Sequence, residues 1–221
     1  MHKILFVLIT FLFMNISVLA QLSDSSYRIY NASGNPASVS QIIDAAGKSD
    51  VIFLGENHDD AAAHFLQAEF FRKMQETFGD KRSVTLSLEM FERDVQIVLD
   101  EYLKGLITEK KFLDDSRPWN NYKNDYRPLV EYAKQNKLAV IAANAPRRYV
   151  NMVSRGGRET LEKLSPEAKR WLAPLPYAQP SELYSKKFTA LMGGAGGDNH
   201  GVSKILDSQA LWDATMAFSI S

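Results

Sequence analysis

The stretch Val51-Ile52-Phe53-Leu54-Gly55-Glu56-Asn57-His58 decides how this chain is read. Four apolar residues follow Lys48-Ser49-Asp50 and stop at Gly55, the signature of a fully buried strand, and a carboxylate and an imidazole come directly after it. Further apolar runs end in the same way. Residues 84–90 carry Glu89 within their end, and residues 138–143 lead into Asn144 and Arg147. In parallel α/β sheets ligands bind beyond the carboxyl ends of strands, where loops converge and helix N-termini point inward. The repeated strand-end placement of polar residues is therefore the main functional signal.

Outward from these runs, helical periodicity fills the gaps. Asp59 or Asp60 can cap a helix reaching about residue 78, and further helices are expected over 94–103 and 128–136. Strands alternating with helices predict an α/β fold, a mostly parallel central sheet with helices on both faces. A polar lead-in over 21–36 precedes a short helix at 38–46. Residues 108–126 are rich in charge and turn formers, with Pro118-Trp119 inside. Pro174, Pro176 and Pro180 make 174–180 a loop, and the glycines of 193–197 make another. Ser203 opens a final amphipathic helix with Ile205, Trp212, Met216 and Ile220 on one face and Gln209 among them, a face that expects a partner surface.

The N-terminus reads as a targeting segment. Lys3 precedes an apolar run over 4–14, and Val18-Leu19-Ala20 has the small-residue pattern of a cleavage site, so residues 1–20 are expected to be a signal peptide and 21–221 a single domain. An uncleaved amphipathic anchor is the alternative. The chain has no cysteine, which excludes disulfides, thiolate metal sites and acylation at the cleavage point. A periplasmic or secreted protein is the expectation, with no integral membrane segment after cleavage. Lys plus Arg and Asp plus Glu balance at 26 each, so no global field steers the chain to nucleic acid.

Glu56, His58 and Glu89 can together hold a divalent transition metal, or serve as general acid and base on a substrate. Glu89, inside Leu86-Ser87-Leu88-Glu89-Met90, is expected to be costly to bury unpaired. A purely structural reading has Glu56 capping a turn, His58 packed at a helix entry and Glu89 paired with Arg93 or Arg147. His64 and Gln67 lie in or beside the apolar stripe Leu66, Phe70, Met74 and Phe78, a position that expects something polar opposite. His200 reads as a mobile ligand or a solvated loop histidine. Trp119, Tyr122 and Tyr126, beside Arg117, Lys123 and Arg127, read as a ligand lip or as a packed loop over the sheet edge. There is no Gly-x-Ser-x-Gly elbow, so a serine nucleophile has no support, and the glycines of 193–197 lack the Lys and Ser/Thr of a phosphate loop.

These residues resemble a known family. Leu54-Gly55-Glu56-Asn57-His58-Asp59 with His64 and Gln67, then Leu88-Glu89-Met90-Phe91-Glu92-Arg93-Asp94-Val95-Gln96, then Ala143-Asn144-Ala145-Pro146-Arg147, look like the ChaN-like haem-binding family. That family shares a superfamily with the Tiki proteases and erythromycin esterases. Asp125-Tyr126-Arg127-Pro128-Leu129 and Gln209-Ala210-Leu211-Trp212-Asp213-Ala214-Thr215-Met216-Ala217 are similar to its middle and late segments. The resemblance implies an exported haem-binding protein of iron acquisition, a homodimer that meets a haem-uptake receptor or transporter. It implies haem at the dimer interface, with a tyrosine on iron and a partner's histidine and lysine at the propionates. Tyr126, Tyr177 and Tyr184 are the candidate iron ligands, and His64, Gln67, Arg93, Asn144, Arg147 and His200 complete the expected cofactor set. In the wider superfamily, residues matching Glu56, His58 and Glu89 form a metal or acid/base site, so a metal-dependent hydrolase is the competing reading. The chain departs from the family in having no cysteine to acylate. The family pattern also continues into a further strand and helix with another strand-end histidine, so a chain read to Ser221 is expected to be C-terminally truncated, and an inactive relic is a third reading.

Overall fold

The computed structural model describes residue 23, residues 26–192 and residues 199–221, the side chains of 199 and 200 excepted. The expected signal peptide at 1–20, the glycine loop at 193–197 and the His200 side chain lie outside the described residues.

A two-residue antiparallel hairpin opens the fold, β1 (Ile29–Tyr30) with β2 (Pro36–Ala37). Helix α1 (Val39–Ala46) follows. Ser38 caps it through the Gln41 amide, and Gln41 returns a bond to the Ser38 backbone, so both orphan donors are met locally. Asp60 does the same for α2 (Ala61–Phe78), accepting from the amides of Ala62 and Ala63. Ile43 and Ala46 of α1 pack on Phe70 and Met74 of α2.

The central sheet is parallel and two-stranded, β3 (Leu86–Glu92) beside β4 (Val140–Asn144). Leu86 pairs with Val140 and Leu88 with Ala142, and the register breaks before Glu92 meets Asn144. Between the strands run α3 (Gln96–Leu103), α4 (Glu109–Ser116), the single turn α5 (Tyr122–Asp125) and α6 (Arg127–Gln135). They bury Phe91, Leu99, Phe112, Tyr126 and Val130 completely against Leu88, Met90, Val140 and Ala142. At about 1.5–3 kcal/mol for each large apolar side chain buried, this cluster is the principal stabilising element.

After β4 come α7 (Arg147–Gly156), a 3-10 segment (Arg158–Lys163), α8 (Pro166–Lys169), α9 (Glu182–Met192) and α10 (Asn199–Ile220). The stretch 174–180 has no regular structure, as expected. Helix α10 packs on α7 and β4, and a second core forms from Ala145, Val150, Val153, Leu161 and Leu211. The sheet thus carries helices on both faces, the α/β arrangement read from the alternation of elements. No helix among the described residues is long and apolar enough to cross a membrane.

Some expectations are corrected. Residues 51–54 form no strand, and Val51, Ile52, Phe53 and Leu54 are 50%, 37%, 82% and 46% exposed. The run has strand composition but pairs with neither edge of the sheet among the described residues. Leu86 N–H donates to Ala139 O at 3.0 Å, so the Val140 carbonyl points to the opposite edge of β4. There Gln96 occupies the edge, its Nε2 donating to Val140 O at 2.9 Å and its Oε1 accepting from Ala142 N at 2.7 Å. A β-strand is stabilised by cross-strand neighbours rather than by composition, and 51–54 has none among the described residues.

The inner face of α10 also differs from expectation. Ser208, Leu211 and Thr215 are buried, whereas Ile205 is 39% exposed and Trp212, Met216 and Ile220 are half-buried. The hydroxyls lose nothing by burial, because Ser208 donates to Lys204 O at 2.9 Å and Ser219 donates to Ala143 O at 2.8 Å. Small side chains bring α10 close to the alanines of β4. Helices α4 and α5 lie within the charge- and turn-former-rich stretch 108–126.

Candidate functional site

Glu56 is a buried hub. Its Oε1 accepts from the Tyr126 hydroxyl at 2.5 Å and lies 2.9 Å from His58 Nδ1, while Oε2 accepts from Gln67 Nε2 at 2.7 Å and lies 3.4 Å from His64 Nδ1. Gln67 Oε1 and His64 Nδ1 are 3.1 Å apart, and His64 Nε2 lies 3.1 Å from the His58 carbonyl. Asn121 donates to that carbonyl at 2.8 Å and to Asp125 at 2.9 Å. The polar pair on α2 therefore faces the Glu56 carboxylate, which is the polar feature its position called for.

Burial works to raise the Glu56 pKa, but hydrogen bonds from Tyr126, His58 and Gln67, with the His64 charge, outweigh it and hold the carboxyl below its ordinary value. Burial works to lower the His64 pKa. The bond to the His58 carbonyl, the Gln67 contact and the charges of Glu56 and Asp125 more than offset this, so the imidazole is raised. His58 is different. Its side chain is 58% exposed, its Nδ1 is fixed by Glu56, and its ring stands edge-on to Trp119 at 4.9 Å between centroids. A carboxylate-oriented imidazole open to solvent is chemically able to move a proton.

Glu89 is exposed on β3, a correction to its expected burial, because it alternates with the buried Leu88 and Met90 and so points to the opposite face of the strand. Its pKa is nonetheless raised, first by desolvation, with the Glu56 and Asp213 carboxylates adding to the shift and His58 opposing it. Those mutual effects mark Glu56, His58, Glu89 and Asp213 as electrostatic neighbours. Neither Arg93 nor Arg147 forms an ion pair with Glu89 in the described residues. Arg93 donates to Ser219 Oγ at 2.7 Å, lies 5.0 Å from the Phe218 ring centroid, and has its pKa lowered by desolvation. Arg147 is exposed at the start of α7, and Asn144 is buried with its Oδ1 accepting from Ala145 N at 2.9 Å. No group of His, Asp and Glu large enough to hold a metal ion converges among the described residues.

The candidate tyrosines separate cleanly. Tyr126 is wholly buried beneath Trp119 and His64, its phenol committed to Glu56 and its pKa driven up by burial and then by that bond. Trp119, Tyr122 and Tyr126 thus belong to packed structure, with Tyr122 and Tyr126 in the core. Tyr177 is 6% exposed, donates to Asp207 O at 2.9 Å and lies under the Arg158 guanidinium at 3.8 Å; burial pushes its phenol up to about 12. Tyr184 is 39% exposed on α9, a helix with no buried residue, and its ring stacks on Phe188 at 6.4 Å. The same helix exposes Leu183 at 79%, Leu191 at 76% and Met192 at 54%. Lys186 pairs with Glu182 at 2.6 Å, whereas Lys187 is exposed and forms no ion pair among the described residues. The Tyr184 phenol and the Asp213 carboxylate of α10 are electrostatic neighbours, and both groups are raised, first by desolvation. Sequence reasoning did not single out Lys187. Spacing of four on α9 places Lys187 in line with Leu183 and Leu191, a signal that was available.

Fold and site define the class, a parallel α/β protein whose polar cluster gathers at the carboxyl end of its sheet. The chain belongs to the family described as haem-binding uptake, Tiki superfamily, ChaN, whose model matches residues 42–221. Among solved structures, it is similar to that titled "Cofacial heme binding to ChaN of Campylobacter jejuni", at 20% identity and a TM-score of 0.65, over 85% of this chain and 72% of that one. Such a likeness establishes the fold. No curated protein matches the chain.

Proposed function

We propose that this chain is an exported haem-binding protein of haem and iron acquisition, in which Tyr184 on α9 is the ligand to ferric haem iron. Family membership supports haem as the cofactor. The observation that carries the residue assignment is that Tyr184 alone of the candidate tyrosines is exposed, on a helix that exposes apolar side chains around it. Haem is a flat apolar ring with two carboxylates. Leu183, Leu191 and Met192 supply apolar contact, and Lys187 supplies a cation for a propionate. When bound, haem supplies a ferric centre for which a phenolate is a suitable ligand.

One helix covers one face of a flat ring, so a second copy of the chain on the other face completes the site, in keeping with a dimer. The structure of the Campylobacter jejuni protein is titled as cofacial haem binding, and the same arrangement is proposed for this chain. The role is binding rather than catalysis, in the periplasm or outside the cell, with haem passed to an uptake receptor or transporter. The Glu56-oriented His58 is the feature that favours the alternative, hydrolysis with Glu89 as a second acid/base group.

Titration with hemin tests the choice. The folded chain is expected to develop a Soret band with a phenolate-to-iron charge-transfer band, both retained in His58→Ala and Tyr177→Phe, with the charge-transfer band lost in Tyr184→Phe. A folded chain that gives no spectral change, or a Tyr184→Phe variant spectrally equal to the parent, would reject the assignment. Loss of an ester- or peptide-cleaving activity in His58→Ala, with no haem spectrum in the parent, would establish the hydrolase instead.

A further inference from the structure

We propose that the cleft between the N-terminal hairpin and α2 is a binding site for a phosphate monoester carried on a compact apolar body. The inference goes beyond the haem reading and does not depend on it. The cleft has a volume of about 490 Å³, within the ordinary range for a small-molecule site. Its walls come from residues 27–30, from residues 36–40 and from Lys73 of α2. Pairing of Ile29 with Ala37 and of Tyr30 with Pro36 holds the hairpin wall together, and the Tyr27 ring lies 6.4 Å from that of Phe65 on α2.

Arg28 and Lys73 line the cleft, and no carboxylate does. Neither cation forms an ion pair among the described residues. For Lys73 the reason lies in α2 itself. The acids at helical spacing from it, Glu69 and Glu76, are both held by Arg72, at 2.7 and 2.5 Å. The Tyr30 and Ser40 hydroxyls likewise have no hydrogen-bond partner among the described residues, whereas Ser38 is used in capping α1. Charge then selects the ligand class. The Arg28 and Lys73 cations match the near-double negative charge of a phosphate monoester at neutral pH, where a carboxylate would leave one of them unmatched. The phosphate oxygens can accept from the guanidinium, the ammonium and the hydroxyls together. Tyr27, Ile29 and Val39 offer apolar contact to the body of the ester. The same chemistry occurs in a soluble phosphate ester and in the headgroup of phosphatidic acid.

The test titrates the full chain with phenyl phosphate, following backbone amide shifts by NMR, beside Arg28→Gln, Arg28→Lys and Lys73→Gln. The parent is expected to show saturable shifts confined to residues 27–40 and the surroundings of Lys73, with benzoate bound more weakly. Arg28→Gln and Lys73→Gln are each expected to weaken phenyl phosphate roughly tenfold, the scale of one charge-assisted hydrogen bond, while Arg28→Lys keeps most of the affinity. Neither side chain is buried, so the thermal melts of the variants should match that of the parent. Vesicles distinguish the two sources. Greater sedimentation with phosphatidylcholine vesicles containing phosphatidic acid than with phosphatidylcholine alone, lost in both glutamine variants, assigns the phosphate to a lipid. Phenyl phosphate binding without that difference assigns it to a soluble ester. The site is overturned by benzoate binding as tight as that of phenyl phosphate, or by parental affinity in both glutamine variants. It is equally overturned if millimolar phenyl phosphate gives no saturable shift and phosphatidic acid adds no sedimentation.

Discussion

At the scale of single residues, Glu56 has the most to lose. Its carboxylate receives Tyr126 and Gln67 and faces two histidines, in a side chain 8% exposed. Glu56→Ala leaves the buried Tyr126 hydroxyl and Gln67 amide without their acceptor and is expected to cost about 2–3 kcal/mol of unfolding free energy, read by urea denaturation. The pH dependence follows from the two shifts. Glu56 is depressed, so its contribution is present above the ordinary carboxylate value and is lost as pH falls through its folded pKa. His64 is raised, so its contribution is fully present below the ordinary imidazole value and is lost as pH rises through its folded pKa. Stability from this pair therefore peaks between the two, in mildly acidic solution. Glu56→Ala should flatten both limbs, and an unchanged pH profile in that variant would show the hub to be energetically idle. A polar partner for His64 and Gln67 was legible because polar side chains on an apolar helix stripe demand one, but that Glu56 is this partner is a tertiary fact the sequence pattern did not name. The choice among tyrosines was not legible either, since Tyr126, Tyr177 and Tyr184 differ only in tertiary surroundings that no local pattern encodes.

At the scale of elements, α1, α2, α3 and α6 were legible because their signals are local: Ser38 and Asp60 cap with their own side chains and Gly79 stops α2. Helices α4, capped by Thr108, and α7, stopped by Gly157, were not read, since charge and turn formers masked the first and the second has no apolar stripe long enough to stand out. Residues 51–54 and 84–90 look alike as sequence, yet the second joins a ladder and the first does not, because pairing is a property of the neighbour. The face of α10 was misread for a related reason. Apolar periodicity marked Ile205, Trp212, Met216 and Ile220, while close packing on β4 selected the hydroxyl-bearing stripe. Gln96 shows the same long-range logic, a side-chain amide serving as the edge partner of β4 across more than forty residues. Gln96→Leu keeps the volume and removes both bonds, leaving the Val140 carbonyl and Ala142 amide unmet. The variant is expected to lose about 1–3 kcal/mol and to speed hydrogen exchange at the Ala142 amide. Equal exchange at Ala142 in parent and variant would mean that the edge is satisfied some other way.

At the scale of the whole molecule, apolar surface is unevenly placed. One core fills the space between the sheet and α2 to α6, a second lies under α7 and α10, and a third joins α1 to α2, while among the described residues the face of α9 and the run at 51–54 each leave several large apolar side chains exposed together. The proposed function gives the α9 face a ligand. Residues 51–54 have strand composition and exposed side chains next to a sheet whose β3 edge is unpaired among the described residues, the combination that favours intermolecular strand pairing. Phe53, at 82% exposure, is the largest contributor and makes little stabilising contact within the chain. Phe53→Lys should therefore leave the unfolding free energy within about 0.5 kcal/mol of the parent, the ordinary range for a surface change. The haem-free variant should also sediment with less concentration-dependent association, because a lysine on an exposed edge opposes pairing. Haem titration separates the two apolar features. If 51–54 drives association without ligand and α9 drives it with ligand, Phe53→Lys abolishes the first and leaves haem-linked dimerisation unchanged. Equal association of parent and variant without haem would place the self-association surface elsewhere.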